Sequence, residues 1–315
     1  MNRNLVVSIS PHVRSPESVS RIMWFVALSL IPAGIAGVFI FGIRALGVIV
    51  LGIISAVATE VIIQRMFKRE ITVYDGSAVL TGLLLAYNLP PHVPFWIPVI
   101  GSFFAIAIGK QVFGGLGQNI FNPALVGRVF LMASWPKYMT TFTAPFNCDA
   151  VTQATPLMRL KEGEALIETG YLDLFLGNRG GCIGEVCIIA LILGAFFLLI
   201  RGYISWHIPF SYIGTTAVCT WIFGSKNLFS GDWLFHVLSG GLILGAFFMA
   251  TDYVTSPLTA KGKIIFGVGC GLLTAVMRLW GGYPEGVSYA ILMMNAATPF
   301  IDRYARSRIY GTKKT

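Results

Sequence analysis

The sequence predicts an all-α polytopic membrane protein, and three observations predict it. Hydrophobic residues make up 55% of the 315-residue chain and charged residues only 12%, proportions that leave a water-soluble domain of this size too little polar surface to cover its core. Apolar runs recur from Ile22 to Ile301 and leave no interval for a separate soluble core. The Lys and Arg residues behind the formal charge of +9 stand at the ends of those runs. They form no basic face interleaved with aromatics, so the charge speaks for membrane orientation and against a nucleic-acid partner.

A membrane span needs roughly 20 apolar residues, fewer where neighbours bury the helix. Ten segments qualify: 22–43, 46–66, 74–89, 95–113, 120–134, 183–200, 208–224, 233–250, 264–281 and 286–301. The first is long enough to span and lacks a small-residue cleavage site, so it reads as a membrane helix and not as a removable signal. The fifth carries Asn119, Asn122, Pro123 and Arg128 and reads as a broken or half-length helix, tolerated only where protein or a cavity covers it. Threaded from a cytoplasmic N-terminus, the spans put most basic residues inside, among them Arg65, Lys68, Arg69, Lys110, Arg201, Lys261 and Lys263. The expected organisation is a cytoplasmic N-terminal segment 1–21, a first membrane half of five spans over 22–134, an extracytoplasmic loop 135–182, a second half of five spans over 183–302 and a basic cytoplasmic tail 303–315.

The stretch Pro98 to Lys110, followed by Asn119 to Ala124, resembles His236 to Asp252, followed by Thr255 to Ala260. In each, an apolar helix leads to a polar, Pro-containing connection and a further helix. This predicts an internal structural repeat with interrupted helices and a central site at the repeat interface; Gly-rich composition alone is the competing explanation.

Glu60, in an otherwise apolar helix, marks an ion or proton route or is a structural acid paired with Arg65 about one turn on. Asp75, heading the third span beside Ser77, and Asp252, at a polar turn, join Glu60 as candidates for an ion path or serve as helix-end residues. Asn119, Asn122 and Arg128 supply amides and a guanidinium suited to a heterocycle edge and a phosphate. Thr152 and Thr155, three residues apart before Pro156, make an ordinary capping loop on physical grounds. No His, Lys or terminal amine stands near them in sequence to activate a nucleophile, so no catalytic residue is assigned. The five cysteines form no CxxC pair and cannot close a disulfide framework, and no metal site is expected.

Five motifs carry a family resemblance: Ser10-Pro-His-Val, Asp75-Gly-Ser-Ala, Asn119-Ile-Phe-Asn-Pro-Ala-Leu-Val-Gly-Arg128, Asp149-Ala-Val-Thr-Gln-Ala-Thr-Pro-Leu157 and the run from Tyr283-Pro-Glu-Gly to Asp302. With them the chain resembles, over nearly its whole length, the family that holds the D subunits of Rnf ion-translocating oxidoreductases and the B subunits of sodium-pumping NADH:quinone oxidoreductases. The resemblance implies a urea-channel-like fold in the prokaryotic cytoplasmic (inner) membrane. It implies an electron-transfer subunit of a ferredoxin:NAD oxidoreductase, an enzyme complex that couples electron flow to Na⁺ or H⁺ translocation. Partner Rnf subunits with flavin and iron–sulfur centres would then meet ferredoxin and NAD. The resemblance further implies FMN joined by a phosphoester to Thr155 through a flavin transferase. Residue type and sequence proximity add Thr152, Ala154 and Arg128 around the phosphate and Asn119 and Asn122 near the ring. Riboflavin also occurs in the family, at a site the sequence does not place. Gln153 stands where the family has Gly or another small residue, which would crowd the phosphate. A passive small-solute channel of urea-channel-like fold, without a redox cofactor, is the alternative reading.

Overall fold

The computed structural model describes residues 17–146, 152–161, 170–225, 227–282 and 285–305. Its polarity is inverted relative to a soluble protein. Phe39 is 78% exposed and Ile35 66%, while Glu60, Lys110 and Arg128 are buried. Apolar side chains outside and charges inside are what a lipid solvent selects.

The first expected span is two helices in line, α1 (Val19–Ser29) and α2 (Ile31–Phe41), which together run apolar from Val19 to Phe41. Ser18 caps α1 by accepting from the Arg21 N–H at 3.2 Å, and Pro32 in the first turn of α2 accounts for the break at Leu30. The second span is α3 (Ile43–Met66). Among the described residues, these two and α14 (Ala260–Leu279) are the helices long and apolar enough to cross a membrane. The other expected spans are shorter helices: α4 (Ser77–Tyr87), α5 (Trp96–Ile106), α6 (Pro123–Ser134), α10 (Ile188–Ile200), α11 (His207–Phe223) and α15 (Val287–Tyr304). The eighth expected span, 233–250, is in three pieces: α12 (Trp233–Leu238), α13 (Leu242–Leu244) and a π-helical turn Gly245–Met249. A second π turn, Ala107–Gln111, extends α5. Such turns widen the helix and are tolerated at membrane depth only under protein cover.

Residues 135–182 hold more than a loop. Their described parts form α7 (Pro136–Thr140), a two-stranded antiparallel ladder of β1 (Phe142–Thr143) and β2 (Thr152–Gln153), and the short helices α8 (Pro156–Lys161) and α9 (Tyr171–Leu176). Cys148 and Asp149 lie outside the described residues; Cys182 is a buried free thiol.

Glycines set the closest helix contacts. A methyl at Gly82 of α4 would lie 2.6 Å from the Gly52 carbonyl oxygen of α3. Tyr87 donates to Leu30 O at 2.8 Å and is sandwiched between Gly34 and Gly184, where an added methyl would sit 2.3 Å from its Cβ.

Candidate functional site

Two buried polar centres lie along α6. The first is beneath Thr155. Thr155 precedes α8, its Oγ1 accepts from the Met158 N–H at 3.4 Å, and the residue is buried. Leu157 anchors α8 by packing with Leu174 of α9 and Phe235 of α12. It also reaches Gly240, where a methyl would lie 2.9 Å from Leu157 Cδ1 and 3.2 Å from Arg278 Nη2. Gly240 has φ +67°, a left-handed conformation that glycine adopts without strain. A single bare residue thus lets Leu157 and Arg278 approach the same point.

Behind Gly240 stands a cluster of charge. Arg278 donates to the carbonyls of His236 and Ser239. Arg128 of α6 pairs with Glu285 at 2.9 Å and donates to Asn88 Oδ1. Glu185 accepts from the Cys182 N–H at 3.0 Å, and Arg179 donates to the Glu185 carbonyl at 3.0 Å. Burial first and Glu185 second push the Glu285 carboxyl above the usual carboxylate range, against the pull of Arg128, Arg278 and Arg179. Among the described residues, several polar atoms here have no hydrogen-bond partner, including Nε and Nη1 of Arg179, Nε of Arg278, Ser239 Oγ and Ser288 Oγ.

The second centre is a cavity between the two halves of the chain, lined by Ser77, Thr81, Lys110, Asn119, Asn122 and Asp252 together with Phe248 and Tyr203. Lys110 comes from the π turn that follows α5, which turns its ammonium inward: Nζ lies 2.7 and 2.9 Å from the two Glu60 oxygens and 2.6 Å from Ser77 Oγ. Gln64 and Gln111 both donate to Glu60 Oε1 at 3.1 Å. Two expectations are corrected here. The partner of Glu60 is Lys110, 50 residues away in sequence, and not Arg65. Lys110, expected at the exposed end of a span, is likewise buried. Asp75 accepts from the Ser77 N–H and hydroxyl at 2.8 and 2.5 Å, as a capping acid does. Asp252 lines the cavity and accepts from Thr255 Oγ1 at 3.2 Å.

Asn122 joins the centres. Its side chain caps α6 by accepting from Ala124 N and Leu125 N, and its Nδ2 donates to Met249 O at 3.2 Å. Asn88, which holds Arg128, also donates to Met249 Sδ at 3.6 Å. The sequence grouped Arg128, Asn119 and Asn122 with Thr155. The structure separates them: Arg128 belongs to the cluster behind Leu157, and the two asparagines belong to the cavity. Arg128 stands six positions after the N-cap Asn122, about 9 Å of helix rise. Arg128 is already engaged by Glu285 and Asn88, so Arg179 and Arg278 are the guanidiniums with nitrogens to spare. Sequence reasoning missed Arg179, Glu185 and Arg278 as site residues. The signal available was their charge, and Arg278 in particular sits inside a span, where a cation is costly.

The match to known proteins covers the whole of this arrangement. The model of the NQR2, RnfD, RnfE family matches residues 6–311. The chain belongs to that family. Among its relatives, the D subunit of the Na(+)-translocating ferredoxin:NAD(+) oxidoreductase complex of Acetobacterium woodii is 52% identical, over 99% of this chain and 96% of the relative. The D subunit of the proton-translocating ferredoxin:NAD(+) oxidoreductase complex of Clostridium ljungdahlii is 53% identical, over 98% of this chain and 96% of the relative. The D subunit of the ion-translocating oxidoreductase complex of Stutzerimonas stutzeri is 41% identical over 94% and 93%. Family membership agrees with the apolar helices and buried charges of an integral membrane protein.

Proposed function

We propose that this chain is the membrane electron-transfer subunit of an ion-translocating ferredoxin:NAD oxidoreductase complex, with FMN bonded through its phosphate to Thr155. The observation that carries the reading is end-to-end identity above one half to two relatives named as the D subunits of such complexes. The near-equal identity to a sodium-named and a proton-named relative leaves Na⁺ and H⁺ as equal alternatives for the coupled ion. The partners are the remaining Rnf subunits, and a flavin transferase matures the protein. The Thr155 side faces out of the cytoplasm, both termini face in, and the paired π turns mark the two copies of a urea-channel-like repeat.

The residues around Thr155 fit an anionic, donor-seeking group. Among the described residues, Arg278 and Arg179 carry guanidinium nitrogens without partners and Ser239 and Ser288 carry hydroxyls without partners; of these, Arg278 is the group that Gly240 brings up to Leu157 of α8. Bound there, a flavin would exchange electrons one or two at a time, its potential set by the charges around it. The chain's own contribution is position and field. Leu157 fixes α8, Gly240 lets Arg278 come close, and burial of Thr155 keeps water from the phosphoester. The cavity, with its amides at Asn119 and Asn122 and the ammonium of Lys110, has the donor and acceptor set for a second, neutral flavin such as riboflavin. Of the three acids considered for ion passage, Asp252 opens onto the cavity without a basic partner of its own among the described residues, whereas Glu60 is paired with Lys110.

Denaturing gels of protein made with the transferase test the reading. A flavin-fluorescent band that disappears in Thr155→Ala, with the mass of FMN on the peptide containing Thr155, supports it. A colourless chain after maturation refutes it and leaves a channel or scaffold.

A further inference from the structure

Glu285 and Glu185 each bind through one oxygen and leave the other bare. Oε2 of Glu285 accepts from Arg128 at 2.9 Å and Oε1 of Glu185 from the Cys182 N–H at 3.0 Å, while Oε1 of Glu285 and Oε2 of Glu185 have no hydrogen-bond partner among the described residues. The candidate ligand atoms of Cys182, Glu185 and Glu285 lie within 4.8 Å of one another, and Glu185 is 2% exposed. Two carboxylates this close and this deep repel, and the Cys182 thiol beside Glu185 is the neutral donor nearest to them. One proton on either carboxyl removes the repulsion between them. A metal ion on the same three atoms would face guanidiniums on every side: Arg128 from α6, Arg278 from α14 and Arg179 from the segment before α10. The other titratable groups around the cluster are His236 of α12, whose carbonyl Arg278 holds, and Tyr212 of α11, which faces Arg278. Neither adds negative charge that would favour a metal.

We propose that Glu185 and Glu285 share a single proton and exchange it when charge is added or removed at Thr155, which lies two residues from the Leu157 that packs beside Arg278. The proposal rests on the function given above. A group held at Thr155 would take up an electron supplied by the partner subunits, and the glutamate pair would gain or release its proton in answer to that charge. One O–H bond breaks for each bond formed to that proton.

Infrared titration of the Thr155→Ala protein decides the pairing without any cofactor. The expected result is a protonated-carboxyl band at neutral pH that fades as pH rises and is lost at neutral pH in both Glu285→Gln and Glu185→Gln. No band in the parent, or a band that responds to sodium and not to pH, overturns the proposal. In the flavin-bearing complex, either glutamine variant should keep its fluorescent band yet show a flavin potential less dependent on pH. An unchanged pH dependence in both variants also overturns it. A parent complex without fluorescence defeats the Thr155 assignment instead, and the infrared result still stands on its own.

Discussion

Replacing Lys110 by Met keeps most of the side-chain length and removes the charge opposite Glu60. The two side chains are 2% and 0% exposed, and Nζ lies 2.7 and 2.9 Å from the carboxylate oxygens. At 2.7 Å and an effective dielectric near 20, the attraction is about 6 kcal/mol, most of it offset by the loss of both hydration shells. The net value of the pair is therefore small, but the cost of breaking it is large. Gln64 and Gln111 both donate to Oε1 of Glu60, so without Lys110 the carboxylate keeps amide donors on one oxygen only. Lys110→Met is expected to cost about 3–5 kcal/mol, and Glu60→Gln a similar amount through the stranded ammonium. The double variant, with no buried charge left, is expected to recover most of that loss. The assay is reversible denaturation of the purified protein in detergent, analysed as a double-mutant cycle. Single losses below about 1 kcal/mol, or losses that simply add in the double variant, would refute the claim that a charged pair holds α3 to the π turn.

Other outcomes follow from close contacts and buried charge. Gly184→Ala places a methyl 2.3 Å from Tyr87 Cβ, whereas a methyl at Gly214 meets open space; thermal melting should show a loss of about 1–3 kcal/mol for the first and little for the second. Tyr212→Phe removes the hydrogen bond shared with Thr274 Oγ1 at 2.7 Å and should cost about 1 kcal/mol in the same measurement. Glu285 has its folded-state protonation raised, so it contributes stability at low pH that is lost as pH rises through that raised value. Melting temperature should fall over that interval in the parent protein and change less in Glu285→Gln. Replacing Glu60, Asp75 and Asp252 singly by their amides and measuring ion uptake driven by electron flow should impair Asp252→Asn most; normal uptake in that variant would make the acid structural.

The membrane class was legible in composition, because an apolar excess of this size has no soluble solution. The start of α6 was legible in local chemistry, with Asn122 before Pro123; that of α14 was not, since it begins at Ala260, ahead of the expected 264, with Thr259 accepting from the Gly262 N–H at 3.0 Å. Helix continuity was not, because the π turns at Ala107–Gln111 and Gly245–Met249 are permitted by the protein packed around them and not by their own residues. The motif around Thr155 was legible only as a likeness to a family, since a threonine before a proline has no distinctive local physics.

The sequence by itself determined that this chain is a membrane protein of the Rnf D-type family, because hydropathy and motif order are properties of residues in a row. Only the tertiary structure decided which charges meet. Glu60 finds Lys110 across 50 residues and Arg128 finds Glu285 across 157. A buried charge takes whichever partner the fold brings within hydrogen-bond reach, and no local spacing rule names that partner.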